Sequence, residues 1–296
     1  MKVPVRATAM ALGLSALVAL PVEAREMAPI GEGARYVAMG SSFASGSGVE
    51  PYDPAAPVRC QRSMQNYAHQ LARKRNLALV DVTCGGATTA HILGYWNELS
   101  PQVEALTADT ALVTITIGGN DIGYIGGLIA GSCDGDPNSA TVAQPLCQMI
   151  AAGRRGGSAM PTATEAGWAK VGEALTVIVR EIRRRSPRAR IVFVDYLTVL
   201  PQNALCSQTP LSSDASRNGR DAAARLAALT AAVASRNGAE VLPASRLSRG
   251  RHDACAADPW MAGFVPPAGS RGFVPYHPNL AGMTAVAEAL DRSLGR

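Results

Sequence analysis

Five short apolar runs, separated by helix-patterned segments, constrain this chain more than any other feature. They are RYVAM (35–39), LALVDV (77–82), ALVTITI (111–117), RIVFVDY (190–196) and AEVL (239–242). Each is apolar almost without a break, as expected of strands covered on both faces in a parallel sheet. Between and after them lie helical patterns at 65–75, 165–185, 221–236 and 279–294. Strand and helix in alternation imply a doubly wound fold. The expectation is a three-layer α/β/α sandwich around a five-stranded, mainly parallel, flavodoxin-like sheet. Residues 123–161, rich in Gly, Ser and Pro and holding two cysteines, read as a disulfide-pinned excursion at the C-terminal edge of that sheet. No internal repeat is visible.

The first 24 residues fall outside this pattern. Lys2 and Arg6 precede an apolar run from Ala7 to Leu20, followed by Val22-Glu23-Ala24. A basic start, an apolar stretch and small residues at a cleavage site describe a secretory leader. The run is shorter than the roughly 20 residues that span a bilayer. The domain reading is therefore a leader over 1–24 and a single domain over 25–296, with a secreted or periplasmic location and no stable membrane anchor. The chain's net charge of +5 loses one unit with Lys2, Arg6 and Glu23, leaving +4, too little to suggest nucleic acid. The basic stretch RRRSPRAR (183–190) reads as a solvated helix end stopped by Pro187.

Export changes the meaning of the six cysteines, Cys60, Cys84, Cys133, Cys147, Cys206 and Cys255. An even number in an oxidising compartment points to disulfides. No CxxC occurs and the histidines are scattered, so neither a metal nor another cofactor is expected. Six cysteines allow 15 connectivities; sequence order favours Cys60–Cys84, Cys133–Cys147 and Cys206–Cys255.

Ligand sites in doubly wound folds lie past the carboxyl ends of strands. After the first strand comes GSSFASG (40–46), which lacks the spacing of a dinucleotide or phosphate loop, and also lacks the GxSxG of a nucleophile elbow. After the second comes CGGATT (84–89), after the third IGGNDIG (117–123), and near the C-terminus PYHPN (275–279). These four segments resemble the four blocks of the SGNH hydrolases, the GDSL lipase and esterase family. The cysteine pattern, DVTCGGATT and VDYLTVLP (194–201) are most similar to the family's secreted bacterial lipases and esterases, whose three disulfides pair in sequence order.

The resemblance places the family's serine on Ser42, its glycine on Gly86, its asparagine on Asn120 and its histidine on His277. One letter departs: the family's Gly-Asp-Ser reads Gly40-Ser41-Ser42. The implied activity is a serine esterase or lipase acting through an acyl-enzyme on Ser42. His277 acts as base, and an oxyanion hole is formed by the amides of Ser42 and Gly86 with the side chain of Asn120. An ester substrate, lipid or small, and a monomeric chain are the implied partner and state. Two alternatives are an O-acetyl esterase acting on polysaccharide and an inactive scaffold binding glycan or lipid, the latter favoured only by Ser41.

The residue types support the same chemistry without the family. A serine hydroxyl needs a base within hydrogen-bond reach, and of four histidines only His277 is followed by a proline that fixes the loop before the last helix. His69 lies in a helical pattern, His91 follows the glycine block and could line the cleft, and His252 reads as surface loop. Asp121 is expected to hold its loop rather than react. Where many relatives carry DxxH, this chain has Val274 three positions before His277. The expectation is a Ser42–His277 dyad whose ring is oriented by the Val274 carbonyl, with Asp253 and Asp258 as rival carboxylates.

Overall fold

A computed structural model describes, besides Met1, residues 30–135, 140–155, 164–267 and 272–295. The expected leader at 1–24 lies outside them, Met1 apart. Five strands, β1 (Arg35–Gly40), β2 (Ala78–Asp81), β3 (Thr110–Thr116), β4 (Arg190–Val194) and β5 (Glu240–Leu242), form one sheet in the order β2-β1-β3-β4-β5. Every pairing is parallel. The near-continuous apolar runs have the expected cause: β3, in the middle, is buried at all seven residues, whereas β2 at the edge is only partly covered.

Helices cover both faces. On one, α2 (Tyr67–Arg75) packs against the last helix, α9 (Leu280–Ser293). On the other, α6 (Glu165–Arg185) packs against α3 (Thr89–Leu93) and α7 (Ser213–Arg236). α6 buries Trp168, Val171, Leu175, Ile178, Val179 and Ile182, one stripe at three- and four-residue spacing. The chain steps from β1 outward to β2, then crosses to β3 and continues the other way. The strand order therefore reverses between β1 and β3, the position where such sheets open a crevice at their carboxyl ends.

Two segments differ from the sequence reading. α7 starts eight residues before the expected 221, because Ser212 caps it by accepting the Ala215 N–H at 3.1 Å and Asp214 stands in its first turn. Its Gly219 is a contact point: a Cβ there would come within 2.4 Å of Leu128. The excursion is also largely helical, as α4 (Tyr124–Gly135) and α5 (Ala140–Arg155). Small residues misled here for the same reason: on α4, Gly131 lets Leu211 and Ala215 approach within 3.1 Å of its Cβ position.

The three disulfides are Cys60–Cys84, Cys133–Cys147 and Cys206–Cys255. The second joins α4 to α5. The basic stretch ends α6, with Arg184 and Arg185 both paired to Glu181. No helix of the described residues is long and apolar enough to cross a membrane.

Candidate active site

β1 ends in a turn that only glycine fits. Gly40 has φ +134°, and a Cβ on it would sit 2.4 Å from the Thr116 carbonyl oxygen of the neighbouring strand. The chain then makes the single turn α1 (Ser42–Ser45), closed by Gly46 in the left-handed conformation. Ser42 is thus the first helical residue past the end of β1, at the crevice. A residue with no recognisable signal in the sequence braces this turn. The side chain of Gln102 accepts the Gly40 N–H at 2.7 Å and donates to the Gly40 carbonyl at 3.1 Å, as a strand partner would.

His277 arrives from the other end of the chain. Its Nε2 lies 2.8 Å from Ser42 Oγ, across 235 positions of sequence. The loop that carries it is fixed by backbone bonds: Ala262 N–H donates to the His277 carbonyl at 2.8 Å, and Asn279 N–H to the Trp260 carbonyl at 2.9 Å. Asn279 also caps α9 by accepting the Gly282 N–H at 3.0 Å, so the residues after the histidine hold the helix start.

The other ring nitrogen corrects the sequence expectation. His277 Nδ1 lies 2.8 Å from the carbonyl of Pro275, not that of Val274. Between Pro275 and His277, Tyr276 takes φ +59°, and this left-handed step turns the carbonyl two positions before the histidine toward the ring. Val274 packs instead against Gly48, 3.4 Å from its Cβ position. Neither rival carboxylate hydrogen-bonds to the ring: Asp253 accepts the Cys255 N–H at 3.0 Å, and Asp258 lies beside His252. A carbonyl can only accept, so Nδ1 carries the proton and Nε2 is left to accept the serine hydroxyl. Burial lowers the pKa of His277 to about 4, opposed in part by the Pro275 hydrogen bond, so the imidazole is neutral at physiological pH.

The glycine and asparagine blocks stand beside the serine. Gly86 has φ +82°, and its turn is held by Gly85 N–H donating to the Cys60 carbonyl at 2.9 Å, next to the Cys60–Cys84 bridge. The amides of Ser42 and Gly86 have no hydrogen-bond acceptor among the described residues. Asn120 Nδ2 donates to the Ala87 carbonyl at 2.8 Å, which ties the two loops together and leaves the second amide proton of Asn120 for another acceptor. Asp121 holds its loop as expected, accepting from the Thr89 amide at 3.1 Å and the Thr89 hydroxyl at 2.5 Å. Burial raises its pKa while these bonds lower it.

The remaining histidines are placed elsewhere. His91 stacks on Trp96 with centroids 4.2 Å apart, and Arg59 covers the same indole at 4.1 Å. The edge of Trp96 comes within 3.4 Å of the Cβ position of Gly86, so this stack forms a wall of the crevice. Behind it lies a cavity of about 330 Å³ that His91 and Trp96 help to line. His69 packs between Asn66 and Asp81 on α2. His252 is less of a surface residue than expected, stacked on Trp260 with centroids 3.9 Å apart. Among the described residues no group of three or more His, Cys, Asp or Glu is placed to hold a metal ion.

Comparison with known proteins gives concordant matches. Residues 38–285 match the GDSL-like Lipase/Acylhydrolase family. The chain is 33% identical over 271 residues to Lipase 2 of Streptomyces coelicolor, covering 88% of this chain and 85% of that protein. Two crystal structures share the fold: phospholipase A1 from Streptomyces albidoflavus NA297 and the extracellular lipase from Streptomyces rimosus. Both superpose with a TM-score of 0.67, at 23% and 24% identity, over 88% and 87% of this chain and 99% and 98% of theirs.

Proposed function

The chain belongs to the GDSL-like lipase/acylhydrolase family and is a carboxylic ester hydrolase, and we propose that it works through a Ser42–His277 dyad. The observation that carries this reading is the aligned relay from Ser42 Oγ through the imidazole to the Pro275 carbonyl, 2.8 Å at each step. Ser42 Oγ attacks the ester carbonyl carbon as Nε2 takes its proton. The carbonyl oxygen, now negative, receives hydrogen bonds from the Ser42 and Gly86 amides and from Asn120 Nδ2. When the tetrahedral species collapses, the imidazolium gives its proton to the departing alcohol. Water then repeats the sequence on the acyl-enzyme, releasing the acid.

Among the described residues the ring has no carboxylate partner, and the Pro275 carbonyl orients it while supplying only a dipole. The oxyanion donors carry more of the burden, each worth typically about 10² to 10³ in kcat. The leader pattern of 1–24 and the three disulfides support export of the mature chain.

Hydrolysis of a short p-nitrophenyl ester by the parent and by Ser42→Ala tests the reading. Turnover should fall by about 10⁴ or more in the variant with its melting temperature preserved. A variant within tenfold of the parent would overturn the dyad. A parent with no esterase activity, yet able to bind glycan or lipid, would favour the scaffold reading that Ser41 suggests.

A further inference from the structure

Ser41 stands where the family carries an aspartate, and its side chain is almost wholly enclosed, 1% exposed. Its Oγ lies 3.4 Å from the Thr116 carbonyl and 3.4 Å from the hydroxyl of Tyr196. Tyr196 comes from the loop after β4. Its hydroxyl accepts the Gly119 N–H at 2.9 Å, in the residue immediately before Asn120. The approach is close enough to require glycine there, since a Cβ on Gly119 would lie 2.7 Å from the phenol oxygen. The Tyr196 ring is equally fixed, packed on Phe43 at 4.6 Å and edge-on to Tyr124 at 6.0 Å. Phe43 in turn leans on the His277 ring at 5.3 Å.

We propose that Tyr196 is a positioning residue for ester hydrolysis: its hydroxyl takes the Gly119 amide and donates to Ser41, locking the oxyanion loop that carries Asn120 to the nucleophile turn. This rests on the dyad and oxyanion reading above. The chemistry favours a phenol over an acid in this arrangement. A carboxylate in such a site could only accept, whereas a phenol accepts from Gly119 and donates to Ser41, whose own proton goes to the Thr116 carbonyl. The phenol also keeps its proton at neutral pH, because burial pushes its pKa up to about 12. The effect on rate is indirect. Releasing the Gly119 amide lets Asn120 drift from the aim that oxyanion stabilisation requires, and such donors work only when held in place beforehand.

A double-mutant cycle tests this. Tyr196→Phe removes the hydroxyl and keeps the ring; on a p-nitrophenyl ester it should lower kcat by about tenfold to a hundredfold, a fraction of what a whole donor is worth, with KM within about threefold. In the Asn120→Ala background the same change should cost less than about threefold, because its effect passes through the amide already removed. A purely structural role would lower turnover equally in both backgrounds. Parental kcat in Tyr196→Phe, or a loss that persists in full beside Asn120→Ala, overturns the assignment of Tyr196. If Asn120→Ala itself turns over at the parental rate, the oxyanion reading fails, and the role of Tyr196 with it. Should Tyr196→Phe not fold, Ser41→Ala decides. It removes the second tie without touching the ring, and its expected loss of about three- to tenfold should likewise vanish beside Asn120→Ala; parental kcat in Ser41→Ala, or a loss undiminished in that background, overturns the proposal.

Discussion

The two sides of the proposed dyad are held by different means. Ser42 follows directly from the sheet: β1 is hydrogen-bonded on both edges, Gly40 turns against β3, and the serine has little freedom left. His277 sits at the end of a long stretch, from Arg249 to Asn279, whose described residues contain no helix or extended strand. Its position depends on loop-to-loop bonds to residues 260–263 and on the Cys206–Cys255 bridge that pins the start of this stretch. A serine on a strand end inherits the rigidity of the core, whereas a histidine on a loop needs cross-links.

Breaking the bridge on the histidine side should have the largest effect on stability. Cys206 and Cys255 are 49 positions apart, and closing a loop of that length is worth about 4 kcal/mol in the chain-entropy model. Replacing both by serine should lower the denaturation midpoint accordingly, measured by urea titration. It should also reduce ester turnover under conditions where the sheet, followed by far-ultraviolet circular dichroism, is still intact. Equal loss of both signals would mean that the two sides unfold as one unit.

On the serine side the corresponding change is Gly40→Ala. Its φ of +134° and the Thr116 oxygen at 2.4 Å leave no room for a methyl group, and such strain costs roughly 3 kcal/mol. Here stability and activity should fall together, because the damage enters through the central strands. A variant with parental melting temperature would show that the turn relaxes more easily than the sheet suggests.

The smallest expected effect concerns pH and sharpens the picture of the histidine. With a pKa lowered to about 4 by burial, His277 should remain neutral down to about pH 5. The acidic limb of kcat/KM should therefore fall near pH 4, with less than twofold loss at pH 5, where a histidine of ordinary pKa near 6.5 would be roughly thirtyfold depleted in its basic form. The sign of the stability effect agrees. The unfolded chain takes up this proton near pH 6.5 and the folded one only near 4, so the stability present above 6.5 is lost as pH falls through that window. A limb centred at 6 or above would show that the ring is wetter than its burial implies.

Much of the fold and site was readable from residue order because the signals are local. Continuous apolar runs mark strands buried on both faces, and the blocks around Ser42, Gly86, Asn120 and His277 lie where strands or loops end. Where local rules failed, a distant partner had overridden them. The Gly-rich excursion and the residues before 221 do not read as helical, yet Gly131 and Gly219 sit inside helices, where Leu211 and Leu128 pack into the space a side chain would fill.

What the sequence by itself determined is the alternation that forces a parallel doubly wound sheet, and the serine, glycine, asparagine and histidine blocks set near the ends of its strands and before its last helix. Only the tertiary structure decided which carbonyl orients His277, since one left-handed residue at Tyr276 moves the choice from Val274 to Pro275. It alone brought Gln102 to the Gly40 backbone and the Tyr196 hydroxyl to the Gly119 amide, across 62 and 77 positions. A hydrogen bond depends on direction and on tenths of an ångström, and neither is set by the order of residues until the core has packed and fixed where each backbone group points.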